Sequence, residues 1–312
     1  MPRSLAHEIL SAIASSAQRS RHFHVEQEND AEREFELGAF DSVQVAGPID
    51  VLIHTGLPAK VHANGPEWAL DNLRIDVEGD RLFVGCDGEC DNVSVMVAVP
   101  NLRALRMSGS GDVSVDHVTG ERFDCASSGS GDLAIGSVEA DEFRMSASGS
   151  GDVRVDEVRG TSADVRIMGS GDLRIGGMEG STFSLTMNGS GDAEMGEYCG
   201  DRIEASLTGS GDLALDTLEA AAVKLALFGS GDVHIGGGKA KSAAFETSGS
   251  GDIDAGSMAV KDASISVCGS GDISADVSGR AEITVMGSGD VSITGGAKCS
   301  ISGNGSGEVR CS

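Results

Sequence analysis

The sequence predicts an all-β protein built as a parallel β-solenoid, a coil of short strands in which each rung stacks on the one before. Three observations predict this fold. Gly-Ser-Gly-Asp recurs at a fixed period from residue 109 onward, which is typical of stacked repeat architectures. Apolar and polar side chains alternate inside each repeat. The chain also has 45 glycines but only one Trp, one Tyr and nine Phe, a composition that favours many turns and a core of small aliphatic side chains.

Residues 1–34 are expected to form a short N-terminal helix followed by a polar linker. The helix is predicted from four residues that share one helical face: Leu5, Ile9, Ile13 and Ala17. Such a helix would cap the coil or dock on it. Residues 19–34 carry few apolar side chains, which is typical of a linker.

No secretion signal is recognisable in this segment, although a removable leader stays open as the alternative to a capping helix. Arg3 is the only early positive charge, and His7 and Glu8 interrupt the apolar run that a signal needs. No run of about 18 apolar residues occurs, so no membrane-spanning helix is expected.

Residues 35–108 are predicted to be an irregular β-rich head that provides the first rungs of the coil. Short runs alternate apolar and polar side chains, and turn sequences separate them. The apolar members are Val43 and Val45; Ile49, Val51 and Ile53; Leu73, Ile75 and Val77; Leu82 and Val84; and Val93, Val95, Val97 and Val99. The turns are Gly47-Pro48, Gly56-Leu57-Pro58 and Glu78-Gly79-Asp80.

Residues 109–312 are predicted to form the regular solenoid. Gly-Ser-Gly-Asp begins at 109, 129, 149, 169, 189, 209, 229, 249, 269 and 287, and Gly-Ser-Gly-Glu begins at 305. With the first glycine as position 1, positions 5, 7, 15, 17 and 19 are apolar, so each repeat is predicted to be strand, turn, strand, turn. Position 10 is mostly apolar too, as expected beneath a turn.

A coil explains this pattern better than a meander, because like positions then stack about 4.8 Å apart and each column keeps one residue class. Glycine suits the corner because it reaches positive φ and leaves room for neighbouring rungs. Eleven corners would make a rod roughly 50 Å long. The last two intervals are 18 residues instead of 20, and the missing residues fall between positions 8 and 14, where a loop can lose them.

The formal net charge of −26 excludes some classes of partner. Nucleic acid needs cationic side chains against its phosphates, and unaided binding to an anionic membrane surface needs them as well. We therefore expect neither nucleic-acid binding nor membrane insertion.

Seven cysteines cannot all pair within one chain. Cys86 and Cys90 form the only close pair and are expected to be a structural thiol pair or a local disulfide, since a zinc site would need further ligands. Cys125, Cys299 and Cys311 fall on inward positions and are expected to act as small buried hydrophobes. The odd number weakly favours a reducing compartment.

Three segments carry a resemblance to a known family. They are Phe-Asp-Ser-Val-Gln-Val-Ala-Gly-Pro-Ile-Asp-Val-Leu-Ile at 40–53, Val-Ala-Val-Pro-Asn-Leu-Arg-Ala-Leu at 97–105 and Ser-Gly-Ser-Gly-Asp-Val at 108–113. Together they resemble the putative auto-transporter adhesins of the head GIN domain family. The resemblance implies a right-handed, single-stranded β-helix and an exported or surface-displayed adhesion role, and it carries no catalytic residues. The chain departs from the family pattern in lacking a clear export signal and in its very regular repeats.

Ten aspartates form a column at position 4: Asp112, Asp132, Asp152, Asp172, Asp192, Asp212, Asp232, Asp252, Asp272 and Asp290. The first interpretation is that each carboxylate accepts hydrogen bonds from amides of its own corner, as in an Asx turn. A calcium ladder is the alternative, but one such corner per rung falls short of the six to eight oxygens that calcium takes. No metal ligand and no cofactor is predicted.

The sequence predicts no enzyme and no catalytic residue. The acids are spread evenly along a corner, and the only histidines in the repeats, His117 and His234, lie at different positions and are expected to be ordinary surface residues. The phenylalanines at positions 15 and 17 are expected to face the core: Phe123, Phe143, Phe183 and Phe245. Phe228, at position 20, is expected to pack beside the corner, with an exposed contact as the alternative, and Trp68 lies in the head.

Two function classes remain from the sequence. One is a non-enzymatic, adhesin-like surface or interaction module with a protein or glycan ligand that we do not identify. The other is an intracellular, self-associating scaffold rod, and a calcium-associating repeat protein is a remote third. Self-association is expected through an uncapped C-terminal rung. The localisation stays open between the cell surface, as the resemblance implies, and the cytoplasm.

Overall fold

The computed structural model describes residues 30–312, which form a parallel β-solenoid. The predicted fold class is confirmed for this part of the chain. The predicted N-terminal helix lies in residues 1–29 and therefore outside the described residues. None of the helices in residues 30–312 is long and apolar enough to cross a membrane.

The head begins at Asp30, so the prediction of a polar linker is wrong for residues 30–34. It contains eight strands and a single helical turn. They are β1 (Asp30–Phe35), β2 (Ser42–Gly47), β3 (Asp50–Thr55), β4 (Lys60–Pro66), α1 (Glu67–Leu70), β5 (Leu73–Glu78), β6 (Arg81–Cys86), β7 (Ser94–Val99) and β8 (Ala104–Gly109). The repeats contain fourteen strands. They are β9 (Val113–Gly129), β10 (Leu133–Gly149), β11 (Val153–Gly169), β12 (Leu173–Gly189), β13 (Ala193–Gly209), β14 (Leu213–Gly229), β15 (Val233–Ile235), β16 (Gly238–Gly249), β17 (Ile253–Gly269), β18 (Ile273–Val277), β19 (Arg280–Val285), β20 (Val291–Thr294), β21 (Lys298–Gly303) and β22 (Val309–Cys311).

From β9 to β20, each repeat strand pairs in parallel with the strands one rung before and one rung after. Leu173, for example, pairs with Val153 on one side and with Ala193 on the other, always at position 5. The two-residue deletion also falls where the sequence predicted. Between Ala255 and Ala259 the pairing of β17 with β18 shifts register, and the columns resume beyond it.

The predicted inward positions form one continuous core. The four phenylalanines expected to face inward are all buried, and the rings of Phe123 and Phe143 stack with their centroids 5.8 Å apart. Tyr198 occupies position 10, where other rungs carry aliphatic residues, and is also buried. Its hydroxyl donates to the carbonyl oxygen of Arg202 at 2.6 Å, which satisfies its polar end. Burial raises the pKa of Tyr198 to about 12.

The two corner glycines have separate physical reasons. Position 1 takes a positive φ, +138° at Gly169, which disfavours any residue with a side chain. At position 3 the space is occupied, because a Cβ on Gly171 would overlap the carbonyl oxygen of Gly151 in the rung before. The first corner, residues 47–50, carries Ile49 at position 3. The strands stacked beneath this corner, β6 and β7, are joined by a loop longer than the regular corner.

The head does not stack in chain order. Strand β2 lies between β6 and β8, and β3 lies between β7 and β9. Strand β4 pairs antiparallel with β7, β1 with β4, and β5 with β6. These antiparallel strands cover the N-terminal edge of the parallel stack, an arrangement that the alternation pattern did not predict.

Candidate functional site

The aspartate column at position 4 links the rungs through their backbone. The backbone N–H of Asp172 donates to Asp152 Oδ1 at 2.9 Å, and the N–H of Asp192 donates to Asp172 Oδ1 at 2.8 Å. The expectation that each donor lies in the carboxylate's own corner is wrong, since it belongs to the following rung. The ladder starts earlier than predicted, at Asp50, and ends at the N–H of Glu308.

The stacking direction explains this bond. The strands run parallel, so their peptide groups at the corner point along the axis of the coil toward the neighbouring rung. A second bond runs from the preceding rung to the following one: the N–H of Leu173 donates to the carbonyl oxygen of Asp192 at 2.8 Å. Each aspartate peptide is therefore joined to the preceding rung at both its N–H and its C=O.

The hydrogen bonds outweigh the repulsion between stacked carboxylates. Two charges one rung apart repel by about 1 kcal/mol in water, whereas a hydrogen bond to a charged acceptor contributes roughly 1.5–3 kcal/mol. The ladder is therefore stable without a metal ion between the carboxylates.

The first half of the ladder lines a groove of about 470 Å³, together with Arg154 and Arg174. Each of these rungs contributes its ladder aspartate to the groove, and the rung of Asp192 adds Glu194. Among residues 30–312 no group of three or more His, Cys, Asp or Glu side chains is placed to hold a metal ion. The geometry thus lacks the oxygen-rich cage that calcium requires.

A histidine-carboxylate pair joins the head to the first regular rung. His54 Nδ1 lies 3.1 Å from Asp116 Oδ2, and the N–H groups of Thr55 and His117 donate to Asp116 Oδ1. Burial acts to raise the pKa of Asp116, but the hydrogen bonds from His54, His117 and Thr55 outweigh it and leave the pKa lowered. Sequence reasoning did not find His54, because its partner lies 62 residues away.

The two histidines of the repeats lie on the surface, as expected. The side chain of His117 is about half exposed, and His234 is exposed beside Asp254, with 3.2 Å between His234 Nδ1 and Asp254 Oδ2. The hydroxyl of Thr55, the residue after His54, donates to the carbonyl oxygen of His117 at 2.6 Å. It is therefore engaged in a structural bond and not poised as a nucleophile.

The cysteines form two disulfides. The local disulfide Cys86–Cys90 confirms one of the two expectations for that pair. Cys299 and Cys311 were expected to be separate buried hydrophobes, which is wrong. They form a second disulfide across the last rung, because one rung of the coil brings them together.

Three cysteines are free. Cys125 is buried, as predicted, and burial raises the pKa of its thiol to about 12. Cys199 and Cys268 are exposed.

A few large apolar side chains are exposed on the rod. Phe228 is 38% exposed, so it takes the alternative interpretation of an exposed contact, and Trp68 in α1 is 51% exposed. Met168 and Met286 share position 20 with Phe228 and are also exposed. Each is separated from the next by several rungs, so they do not form a continuous apolar patch.

The chain matches one known protein family over most of its length. The family described as "Putative auto-transporter adhesin, head GIN domain" matches residues 39–197 and 194–297. The chain belongs to this family. Most of the matched residues lie in the repeats, which begin at residue 109. No curated protein matches the chain.

Solved structures that match this chain come from Parabacteroides and Bacteroides species. A putative adhesin from Parabacteroides distasonis ATCC 8503 is 18% identical, with 93% of this chain and 100% of that chain covered and a TM-score of 0.45. A putative adhesin from Parabacteroides merdae ATCC 43184 is 16% identical, with 91% and 97% covered and a TM-score of 0.45. A putative adhesin from Bacteroides fragilis NCTC 9343 is 16% identical, with 92% and 98% covered and a TM-score of 0.34. Likeness at this level supports no statement about function.

The Asp116 bonds make a pH-dependent contribution to stability. A lowered pKa in the folded state means that the contribution is present above the unfolded pKa of about 3.9 and is lost as pH falls through the folded pKa. We expect Asp116→Asn to lower the free energy of unfolding by about 1–2 kcal/mol at pH 7, with the difference shrinking below about pH 4. Chemical denaturation at several pH values measures this.

The control is Asp156→Asn, at the same position of a later rung, whose carboxylate pairs with the exposed Arg154 only. We expect it to cost less than about 0.5 kcal/mol. An Asp116→Asn loss that is equally large at pH 3 and pH 7 would contradict the pH-dependent role of the pair.

Proposed function

We propose that this head GIN domain protein is a non-enzymatic, adhesin-like interaction module presented at the cell surface. The observation that carries the proposal is the continuous stack of rungs, in which like positions pair from Val113 to Val285 apart from the register shift after Ala255. Outward side chains therefore stand in columns about 4.8 Å apart. A rod of this kind can contact an extended partner at many points without a hinge.

The distribution of chemical groups supports binding over catalysis. The carboxylates are spread one per rung and hydrogen-bonded to the next rung. In the partly buried pair His54–Asp116, backbone N–H groups donate to the Asp116 carboxylate, and the neighbouring hydroxyl of Thr55 is already engaged. Enzyme sites need a local break in such regularity, with a nucleophile or base free to act.

The proposal is tested by labelling the protein on intact native cells with a membrane-impermeant, amine-reactive biotin. The side chains of Lys224 and Lys239 are 54% and 70% exposed, so they should react whenever the reagent reaches the protein. We expect biotin on both lysines before lysis, identified by mass spectrometry. A cytoplasmic protein of the same cells serves as the control. Labelling of this chain only after lysis would contradict surface presentation and favour the intracellular scaffold.

A second candidate function, self-association, is favoured by the last rung. Strands β21 and β22 have a parallel neighbour on one side only, β19 and β20 respectively. Ile301 continues an inward column, since it pairs with the buried Ile283, yet it is 56% exposed. Unpaired strand edges and exposed core positions favour pairing with another chain.

The charge of this rung also suits contact with a second copy. Residues 295–312 carry Lys298 and Arg310 against Glu308, so the rung is slightly positive in a protein of net charge −26. Two such ends would meet without the repulsion that the rest of the rod produces. We propose that two copies join through their last rungs.

Sedimentation velocity of the purified protein tests this proposal. We expect a dimer whose population rises with concentration, and we expect Ile301→Asp to shift it to monomer by burying a charge in the contact. Met168→Asp is the matched control, because Met168 is 46% exposed but lies far from the last rung. A wild-type protein that stays monomeric at all accessible concentrations would overturn the proposal.

A further inference from the structure

An arginine-lined trough lies on the outer face of the head and the first regular rungs. Its volume is about 950 Å³. We define the arginine trough by its six cationic residues: Arg81, Arg103, Arg106, Arg122, Arg144 and Arg166. Its lining includes three carboxylates, Glu78, Asp80 and Asp124. Three further carboxylates, Asp41, Glu142 and Asp164, pair with its arginines from outside the lining. The trough thus gathers six guanidinium groups, with carboxylates at its margin, on a protein whose formal net charge is −26.

The stacking of rungs creates the shape of the trough. Arg106 and Arg166 stand at the two ends of one outward column, and the residues between them are Ala126 and Ser146. These small side chains form a floor, and the arginines rise on either side of it. Three rung steps separate Arg106 from Arg166, which is roughly 14 Å.

The other arginines are placed by the same register. Arg122, Arg144 and Arg166 come from successive rungs at positions 14, 16 and 18, so they cross the face diagonally. Arg103 pairs with Asp41 and with Asp80, which fixes it at the rim beside the head. The trough is therefore assembled from the head and three rungs, and its arginines cannot be recognised as a cluster in the sequence.

Several of the guanidinium groups are available to a ligand. Arg106 is exposed and makes no ion pair or side-chain hydrogen bond with residues 30–312. Arg166 pairs with Asp164 at 2.7 Å and Arg144 with Glu142 at 3.2 Å, in both cases with more than 45% of the arginine side chain exposed. Exposed pairs of this kind contribute little to stability, so an anionic group of a ligand can replace the carboxylate.

We propose that the arginine trough binds an anionic polysaccharide that carries carboxylate or sulfate groups. The planar guanidinium matches such groups with two parallel N–H donors. The floor offers serine hydroxyls, among them Ser108, Ser128 and Ser146, which can hydrogen-bond to sugar hydroxyls. This inference rests on the proposed function in that it names the class of ligand for the interaction module.

The lining disfavours single-stranded nucleic acid as the ligand. Base stacking on aromatic side chains supplies much of the affinity of single-strand binding proteins, and the trough is lined by no Phe, Tyr or Trp. An extended sugar chain needs no such platform when its charges are spaced along the groove.

The test measures binding of the purified protein to heparin and to polygalacturonate, with dextran as the neutral comparison, by isothermal titration calorimetry at low salt. The trough variant is Arg106→Glu with Arg166→Glu. The control variant is Arg154→Glu with Arg174→Glu, which changes the net charge equally at two exposed arginines beside the aspartate ladder.

We expect the wild-type protein to bind at least one of the two anionic polysaccharides and to bind dextran undetectably. The trough variant should lose at least about tenfold in affinity, and the control variant should stay within about threefold of the wild type. Binding to heparin alone would indicate sulfate, and binding to polygalacturonate alone would indicate carboxylate. No binding to either, an equal loss in both variants, or tighter binding of a single-stranded oligonucleotide would overturn the inference.

The outcome is independent of the surface-labelling result. A protein that is labelled on intact cells but binds neither polysaccharide would leave the interaction module standing and refute the trough. Binding that depends on the trough, in a protein that is protected until lysis, would refute surface presentation alone.

Discussion

The hydrogen bond from each aspartate N–H to the carboxylate of the preceding rung is the interaction on which the rest of this structure depends. It repeats at rung spacing from Asp50 to Glu308. The carbonyl oxygen of the same aspartate also accepts a hydrogen bond from the preceding rung, so each corner is held at one fixed height above the last. The register of every column, inside and outside, follows from that fixed height.

This corner explains why the chain combines so many glycines with so much negative charge. The close approach of successive rungs excludes a side chain at position 3, and the acceptor at position 4 is a carboxylate in every regular rung. The acidic groups at this corner thus belong to the hydrogen bonding of the stack itself. The arginine trough lies away from that corner, where side chains outside the columns of the core are free to vary, and function can be placed on such positions without loss of the fold.

The sequence predicted the regular part well because each stacked column repeats its residue class every 20 residues. The burial of Phe123 and Phe245 and the register break near Ala255 followed from that period alone. Contacts that depend on which rung supplies the partner could not be predicted: the donor to each carboxylate, the Cys299–Cys311 disulfide and the threading of the head. The trough was missed for the same reason, since its arginines come from the head and from three different rungs.

Hydrogen exchange of the Asp192 backbone amide tests the role of the ladder most directly, compared between Asp172→Ala and Asp172→Asn. Asparagine keeps an oxygen at Oδ1 and alanine does not. The account predicts that the Asp192 amide exchanges at least about tenfold faster in the alanine variant, from the loss of a bond that contributes roughly 1.5–3 kcal/mol, and clearly more slowly in the asparagine variant than in the alanine variant. Equal exchange in the wild type and the alanine variant, or equal acceleration in both variants, would contradict it.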